Sequence, residues 1–162
     1  MLAGIATALL ASSAMGQRPL GLDVSYWQGN LTQANWNTVH ASGWDFVIVR
    51  ATHYSAPGET DAHGSPDPYF VNNITRARAA GMLAGAYSFV RNTIRDPITE
   101  ADFFLTYARP YITNGYLRPM LDLEDGTATV GAANLSDWAN AWLDRVQQQT
   151  GVEPVIYCNS NY

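Results

Sequence analysis

From residue 18 onward the sequence alternates short apolar runs with stretches of helical periodicity, and this alternation constrains the fold more than any other feature. Leu20 to Val24 predicts a first strand, and a helical stretch carrying Trp36 and Val39 follows it. Trp44 to Ala51 is almost continuously apolar, as expected for a strand covered on both faces. His53 to Pro68 is rich in Gly, Pro, Ser and Asp and predicts a loop. A helix is expected from about Pro68 to Ala80, stopped by Gly81, and a third strand from Met82 to Val90. Thr99 to Ala108 places Ala101, Phe104, Leu105 and Ala108 on one helical face, with Thr99 as N-cap. Pro119 to Glu124 predicts a fourth strand, ended by the turn pair Asp125-Gly126. Leu135, Trp138, Ala139, Trp142 and Val146 recur at three-to-four spacing in a helix ending at Gly151. Val155 to Cys158 is a fifth strand.

Strands joined by helices predict an α/β fold whose parallel sheet is either open or rolled into a (β/α)-barrel of the TIM type. A complete barrel takes roughly 200 residues or more. The chain has 162, so a barrel truncated at its C-terminal end is expected. The N-terminus lowers the usable length further. Leu2 to Ala14 is apolar and small, and Ala14-Met15-Gly16 ends the run with the small residues a signal peptidase reads, although no Lys or Arg precedes it. The run is too short to span a bilayer. Residues 1–16 are therefore read as a signal peptide and 17–162 as one incomplete domain, secreted or extracytoplasmic.

Composition removes several classes of function. Hydrophobic residues make up 47% and charged residues 14%, which suits a packed core and argues against disorder. Net charge is −5 and no Lys/Arg cluster exists, which disfavours nucleic acid. Cys158 is the only cysteine, so neither an intrachain disulfide nor a cysteine metal site can form, and a buried thiol is expected. His40, His53 and His63 lack metal-ligand spacing and are read as surface histidines. No Gly-x-Ser-x-Gly or phosphate loop occurs, and no metal or organic cofactor is implied. Asn30, Asn73 and Asn134 each begin a glycosylation sequon, meaningful only in a eukaryotic secretory host. Five Trp and nine Tyr supply packing aromatics, which also suit the apolar faces of sugar rings.

The segment that carries chemistry is Met120-Leu121-Asp122-Leu123-Glu124. On a strand, Asp122 and Glu124 share one face while Leu121 and Leu123 take the other, with the two acidic Cα atoms about 6.6 Å apart. Two carboxyls at that spacing can reach one glycosidic bond, although a strand with a solvated acidic face would show the same pattern. Asp23, at the C-terminal end of another strand, favours the chemical reading. In a parallel sheet all three carboxylates converge on one rim, where like charges keep one of them protonated near neutral pH.

Gly21-Leu22-Asp23-Val24-Ser25-Tyr26-Trp27-Gln28-Gly29 resembles the opening strand and loop of the family 25 glycoside hydrolases, the Chalaropsis-type lysozymes. Phe46 to Thr52, Gly81 to Phe89, Pro119 to Glu124 and Val155 to Tyr157 are similar to their next strands, in order. The resemblance implies a muramidase cutting the β-1,4 bond between N-acetylmuramic acid and N-acetylglucosamine in peptidoglycan. It implies Glu124 as general acid/base and Asp122 as nucleophile or as stabiliser of a substrate-assisted, oxazolinium-like intermediate. Asp23 would support electrostatics and positioning, and Tyr87 and Tyr157 would line the sugar subsite. Peptidoglycan glycan strands are the expected partner, with no nucleic acid, no membrane after signal removal, and a monomer when complete. Ser88 stands where relatives often carry His, and His53 where many carry an acidic residue, which puts substrate contacts in question. The family also continues through further barrel strands that bring another acidic residue and aromatic walls. Rival readings are a chitin-type glycosidase, which usually wants an Asp at the position of Met120, and a non-catalytic or inactive cell-wall-binding fragment.

Overall fold

The computed structural model describes residues 18–54, 64–91, 93, 95–125 and 131–158. The expected signal peptide, His63 and the turn at Gly126 lie outside them. Strands β1 (Gly21–Val24), β2 (Phe46–His53), β3 (Ser65–Pro66), β4 (Leu83–Arg91), β5 (Met120–Asp125) and β6 (Val155–Tyr157) alternate with helices α1 (Gln33–Ala41), α2 (Phe70–Ala79), α3 (Pro97–Ala108) and α4 (Ala132–Thr150). The sheet runs β1-β2-β4-β5-β6, every pair on this path parallel, and β3 is a short antiparallel addition to β2. Each main strand therefore pairs with the next one in the chain. A doubly wound sheet reverses its order partway; a barrel wall does not.

The register assigns every side chain to a face. Leu22 and Val24 of β1, Val47 and Val49 of β2, Ala84 and Ala86 of β4 and Leu121 and Leu123 of β5 share the outer face. Most of them join one apolar core with Trp36 of α1, Phe70 and Ile74 of α2, Phe104 of α3 and Trp142 of α4. Burying each such large side chain contributes about 1.5–3 kcal/mol. The opposite face carries Asp23, Arg50, Tyr87, Asp122 and Glu124.

Local chemistry sets the helix ends. Thr32 and Asn35 form a capping box at α1. Gly81, at φ 95°, ends α2 in the left-handed region. The cap of α3 departs from expectation: Asp96, not Thr99, is the N-cap, its carboxylate accepting from the Thr99 N–H at 3.0 Å, with Pro97 opening the helix. Part of the expected loop from 53 to 68 is also ordered differently, because Ser65 and Pro66 pair with His53 and Thr52. Cys158 is exposed rather than buried. It follows β6, which pairs only with β5 among the described residues and leaves Ile156 and Tyr157 largely open. Asn73 is buried, its side chain donating to Gly29 O and accepting from the Leu31 N–H, so its sequon is a structural tie.

Candidate active site

Alternation along β5 points Met120 and Asp122 away from the helices, and Glu124, at a register shift against β4, lines the same cavity. Beside them on the same face stand Tyr87 of β4, Arg50 and Ile48 of β2, Asp23 of β1 and Tyr157 of β6. A concavity of about 280 Å³ opens there, lined by Asp23, Phe46, Ile48, Tyr87, Met120, Asp122, Glu124 and Tyr157, with Gly21 and Leu22 at one side. A Cβ at position 21 would lie 1.9 Å from the Phe46 ring, so a larger residue there would have to displace this lining side chain. The structure thus brings all five residues expected from sequence, Asp23, Tyr87, Asp122, Glu124 and Tyr157, to one cavity.

The three carboxylates differ in setting. Asp23 is exposed, Glu124 half-buried, and Asp122 only 9% exposed. Burial, reinforced by the charges of Glu124 and Asp23 and opposed by Arg50, pushes the Asp122 carboxyl from 3.8 up to about 7. Its Oδ1 is buried without a hydrogen-bond partner. A buried, unpaired acceptor is costly unless a ligand or water completes it. The Tyr87 phenol is raised by its own burial, with Arg50 opposing and Asp23, Asp122 and Asp67 adding to the rise. Tyr87 therefore remains a neutral hydroxyl beside the acids.

Sequence reasoning missed Arg50 and Asp67. Arg50 is buried on the cleft face of β2, directly across from Tyr87. Its Nε donates to Asp67 Oδ2 at 3.1 Å, its Nη2 lies 3.0 Å from the same oxygen, and its guanidinium covers the Tyr26 ring at 4.7 Å. Asp67 also accepts from the backbone N–H groups of Tyr26 and Tyr69. A lone arginine inside an otherwise apolar strand was the available signal, since such a charge is retained only where it is paired. Asp67 offered none, sitting between two prolines in a segment that reads as loop.

The two sequence departures part company. His53 sits at the upper end of β2 on the cleft face, its Nδ1 2.7 Å from Tyr54 O and its ring stacked 6.2 Å from Tyr26, so it is no scattered surface histidine. Ser88 faces the helices instead, hydrogen-bonded to Thr52 at 2.9 Å and donating to Glu100 of α3 at 3.5 Å. Its substitution bears on packing, not on substrate.

The profile of Glycosyl hydrolases family 25 matches residues 22–162. Lysozyme M1 of Streptomyces globisporus is 28% identical over 148 residues, covering 88% of this chain and 47% of that protein. The N,O-diacetylmuramidase of Chalaropsis sp is 26% identical over 151 residues, 88% of this chain and 66% of that one. Among solved structures, the muramidase from Trichobolus zukalii superposes with a TM-score of 0.73 at 27% identity, over 86% of this chain and 65% of its own. The bacterial lysozyme from Streptomyces coelicolor gives 0.72 at 28%, over 87% and 63%. The chain thus spans about half the length of lysozyme M1 and under two thirds of both solved structures. What they share with it is a mixed α/β fold with a curled, half-barrel parallel sheet.

Proposed function

The chain belongs to glycosyl hydrolases family 25, and from that premise we propose that it is a muramidase hydrolysing the β-1,4 bond between N-acetylmuramic acid and N-acetylglucosamine. The observation that carries the reading is the meeting of Asp23, Asp122 and Glu124 in one cleft, with a neutral Tyr87 between strands. Near pH 7 the cluster retains a proton, because full ionisation would place three negative charges together with Arg50 opposing them.

Glu124, the more open carboxyl, acts as the general acid that delivers a proton to the glycosidic oxygen as the C1–O bond breaks. Positive charge developing at the sugar ring is met by Asp122 and Asp23. Asp122 acts either as the nucleophile at C1 or in a substrate-assisted route, in which the acetamido oxygen attacks C1 and Asp122 accepts a hydrogen bond from the acetamido N–H. Water then opens the intermediate, its proton returning to Glu124. Tyr87 and Tyr157 line the sugar subsite.

The strictly sequential strand order, and relatives whose matched region is only part of their length, support reading the sheet as one portion of a (β/α)-barrel. We read the protein as a secreted monomer acting on peptidoglycan glycan strands, with residues 1–16 as its signal. The test is borohydride reduction of digested, purified peptidoglycan followed by mass spectrometry of the new ends. Reduced N-acetylmuramic acid is the expected product. Reduced N-acetylglucosamine ends would assign the wrong bond, and no new ends would remove the activity.

A further inference from the structure

The turn after β1 is fastened at five consecutive residues, from Ser25 to Gly29. Ser25 and Gln28 close a capping box, with Ser25 Oγ 3.4 Å from the Trp27 N–H and Gln28 Oε1 2.8 Å from the Ser25 N–H. The Tyr26 N–H donates to Asp67 Oδ2 at 2.7 Å, and Gly29 O accepts from Asn73 Nδ2 at 3.0 Å. Asp67 and Asn73 are both buried. The large side chain this framework presents is Trp27, 76% exposed, more than any other large hydrophobic side chain described. A tryptophan on a loose loop would mean little. Here buried polar groups from two other segments fix the backbone that holds it out.

The inner side of the indole rests on Tyr26, ring centroids 4.4 Å apart and tilted by 33°. Tyr26 lies in turn against the Arg50 guanidinium at 4.7 Å. Arg50 stands on the cleft face beside Tyr87. A continuous stack therefore runs from the cleft wall to a solvent-facing indole. Gln28, Gly29 and Asn30 follow Trp27 in the chain, so residues with hydrogen-bonding groups accompany the exposed indole. A pyranose has the matching form, one apolar face within a rim of hydroxyls, whereas a protein partner needs a larger contiguous apolar patch.

We propose that Trp27 is an outer subsite that stacks on one pyranose ring of a glycan strand continuing from the cleft. This rests on the glycan-cleaving reading above and adds to it a residue that governs strand length. Wild-type protein, Trp27→Ala and Trp27→Phe are compared on peptide-free glycan strands of two sugars and of eight or more, by calorimetric binding and by turnover. Aromatic stacking of this kind is worth up to about tenfold in affinity. Trp27→Ala should weaken long-strand binding and raise its KM by about that factor, with kcat and disaccharide binding unchanged, and Trp27→Phe should recover most of the loss. Acrylamide should quench the emission that wild type shows over Trp27→Phe, and long strands should shield it.

Equal long-strand affinity for wild type and Trp27→Ala overturns the subsite while leaving the enzyme reading intact. So does an indole shielded from acrylamide before any glycan is added, which would mean that another segment of the protein occupies it. Loss of both strand lengths together makes Trp27 a structural residue. A wild-type protein that neither binds nor cuts glycan overturns both readings.

Discussion

The two faces of β5 differ by one residue in sequence and by everything in environment. Leu121 and Leu123 are sealed into the helix-covered core with Phe104 and Trp142. Asp122 and Glu124 look the other way, into a cleft shared with Asp23 and Tyr87. The strand's period of two separates stability from chemistry on a single stretch of backbone, and a one-residue slip would exchange them. The outer face of β5 is built from apolar side chains with no group that titrates. The inner face holds a carboxyl shifted by burial and by like charges. Substitutions on the two faces should therefore fail in different ways.

The sharpest contrast is Glu124→Gln. An amide cannot donate the proton, so turnover of peptidoglycan should fall about 10²- to 10⁴-fold while the thermal melt stays close to wild type. Activity within a few-fold of wild type would remove Glu124 from the mechanism. Its mirror image is Leu121→Ala, a truncation at a fully buried site. Denaturant unfolding should show a loss of about 2–5 kcal/mol. The fraction still folded at low temperature should keep its kcat, because nothing in the cleft is changed.

Asp122→Asn belongs to both categories, and pH tells them apart. The Asp122 carboxyl, ordinarily at 3.8, rises to about 7 in the fold. Folding thus favours its protonated form, and the stability it brings is full below its ordinary value and lost as pH rises through about 7. Asn cannot ionise. Relative to wild type the variant should therefore gain stability between pH 4 and pH 8, on the order of 2–4 kcal/mol, while losing turnover at every pH. Melting temperatures at the two pH values check this, and a gain of equal size at both would mean that burial of the charge is not the cause.

The outer face was far easier to foresee than the inner one, for a physical reason. Helix and strand periods show wherever apolar side chains share one core, and Ala101, Phe104, Leu105 and Ala108, or Trp142 and Val146, announced themselves that way. The carboxylates of β5 were legible because alternation fixes their common face. Asp23 became meaningful only with a parallel sheet. Arg50, Asp67 and the anchored turn at Trp27 depend on contacts between residues 17 to 44 positions apart, which no local pattern encodes. The α3 cap lies three residues before the one expected because Asp96 and Thr99 are both good caps, and Pro97 after Asp96 decides between them. Cys158 departs from the burial its residue type predicts because exposure follows from the strand's place in the sheet.

The smallest effect tests whether the division between faces holds where the outer face turns polar. At the upper ends of β2 and β4 the core gives way to a buried chain from Thr52 to Ser88 to Glu100, closed by Arg95 at 3.3 Å from the Glu100 carboxylate. Burial raises the Glu100 carboxyl, while Arg95 and the Ser88 hydroxyl hold it down. Ser88→Ala removes one support of the ionised form and leaves Thr52 without that partner, a loss of about 1 kcal/mol. Because the missing hydrogen bond served the charged carboxylate, the deficit should be smaller at pH 4, where Glu100 is protonated, than at pH 8. The kcat and KM on peptidoglycan should not move, since Ser88 faces α3 and not the cleft. Denaturant titrations at the two pH values, read beside turnover, decide the matter. A Ser88→Ala protein of unchanged stability but impaired turnover would place this hydroxyl among the groups that meet the sugar, and the separation of the two faces would end at Val49 and Ala86.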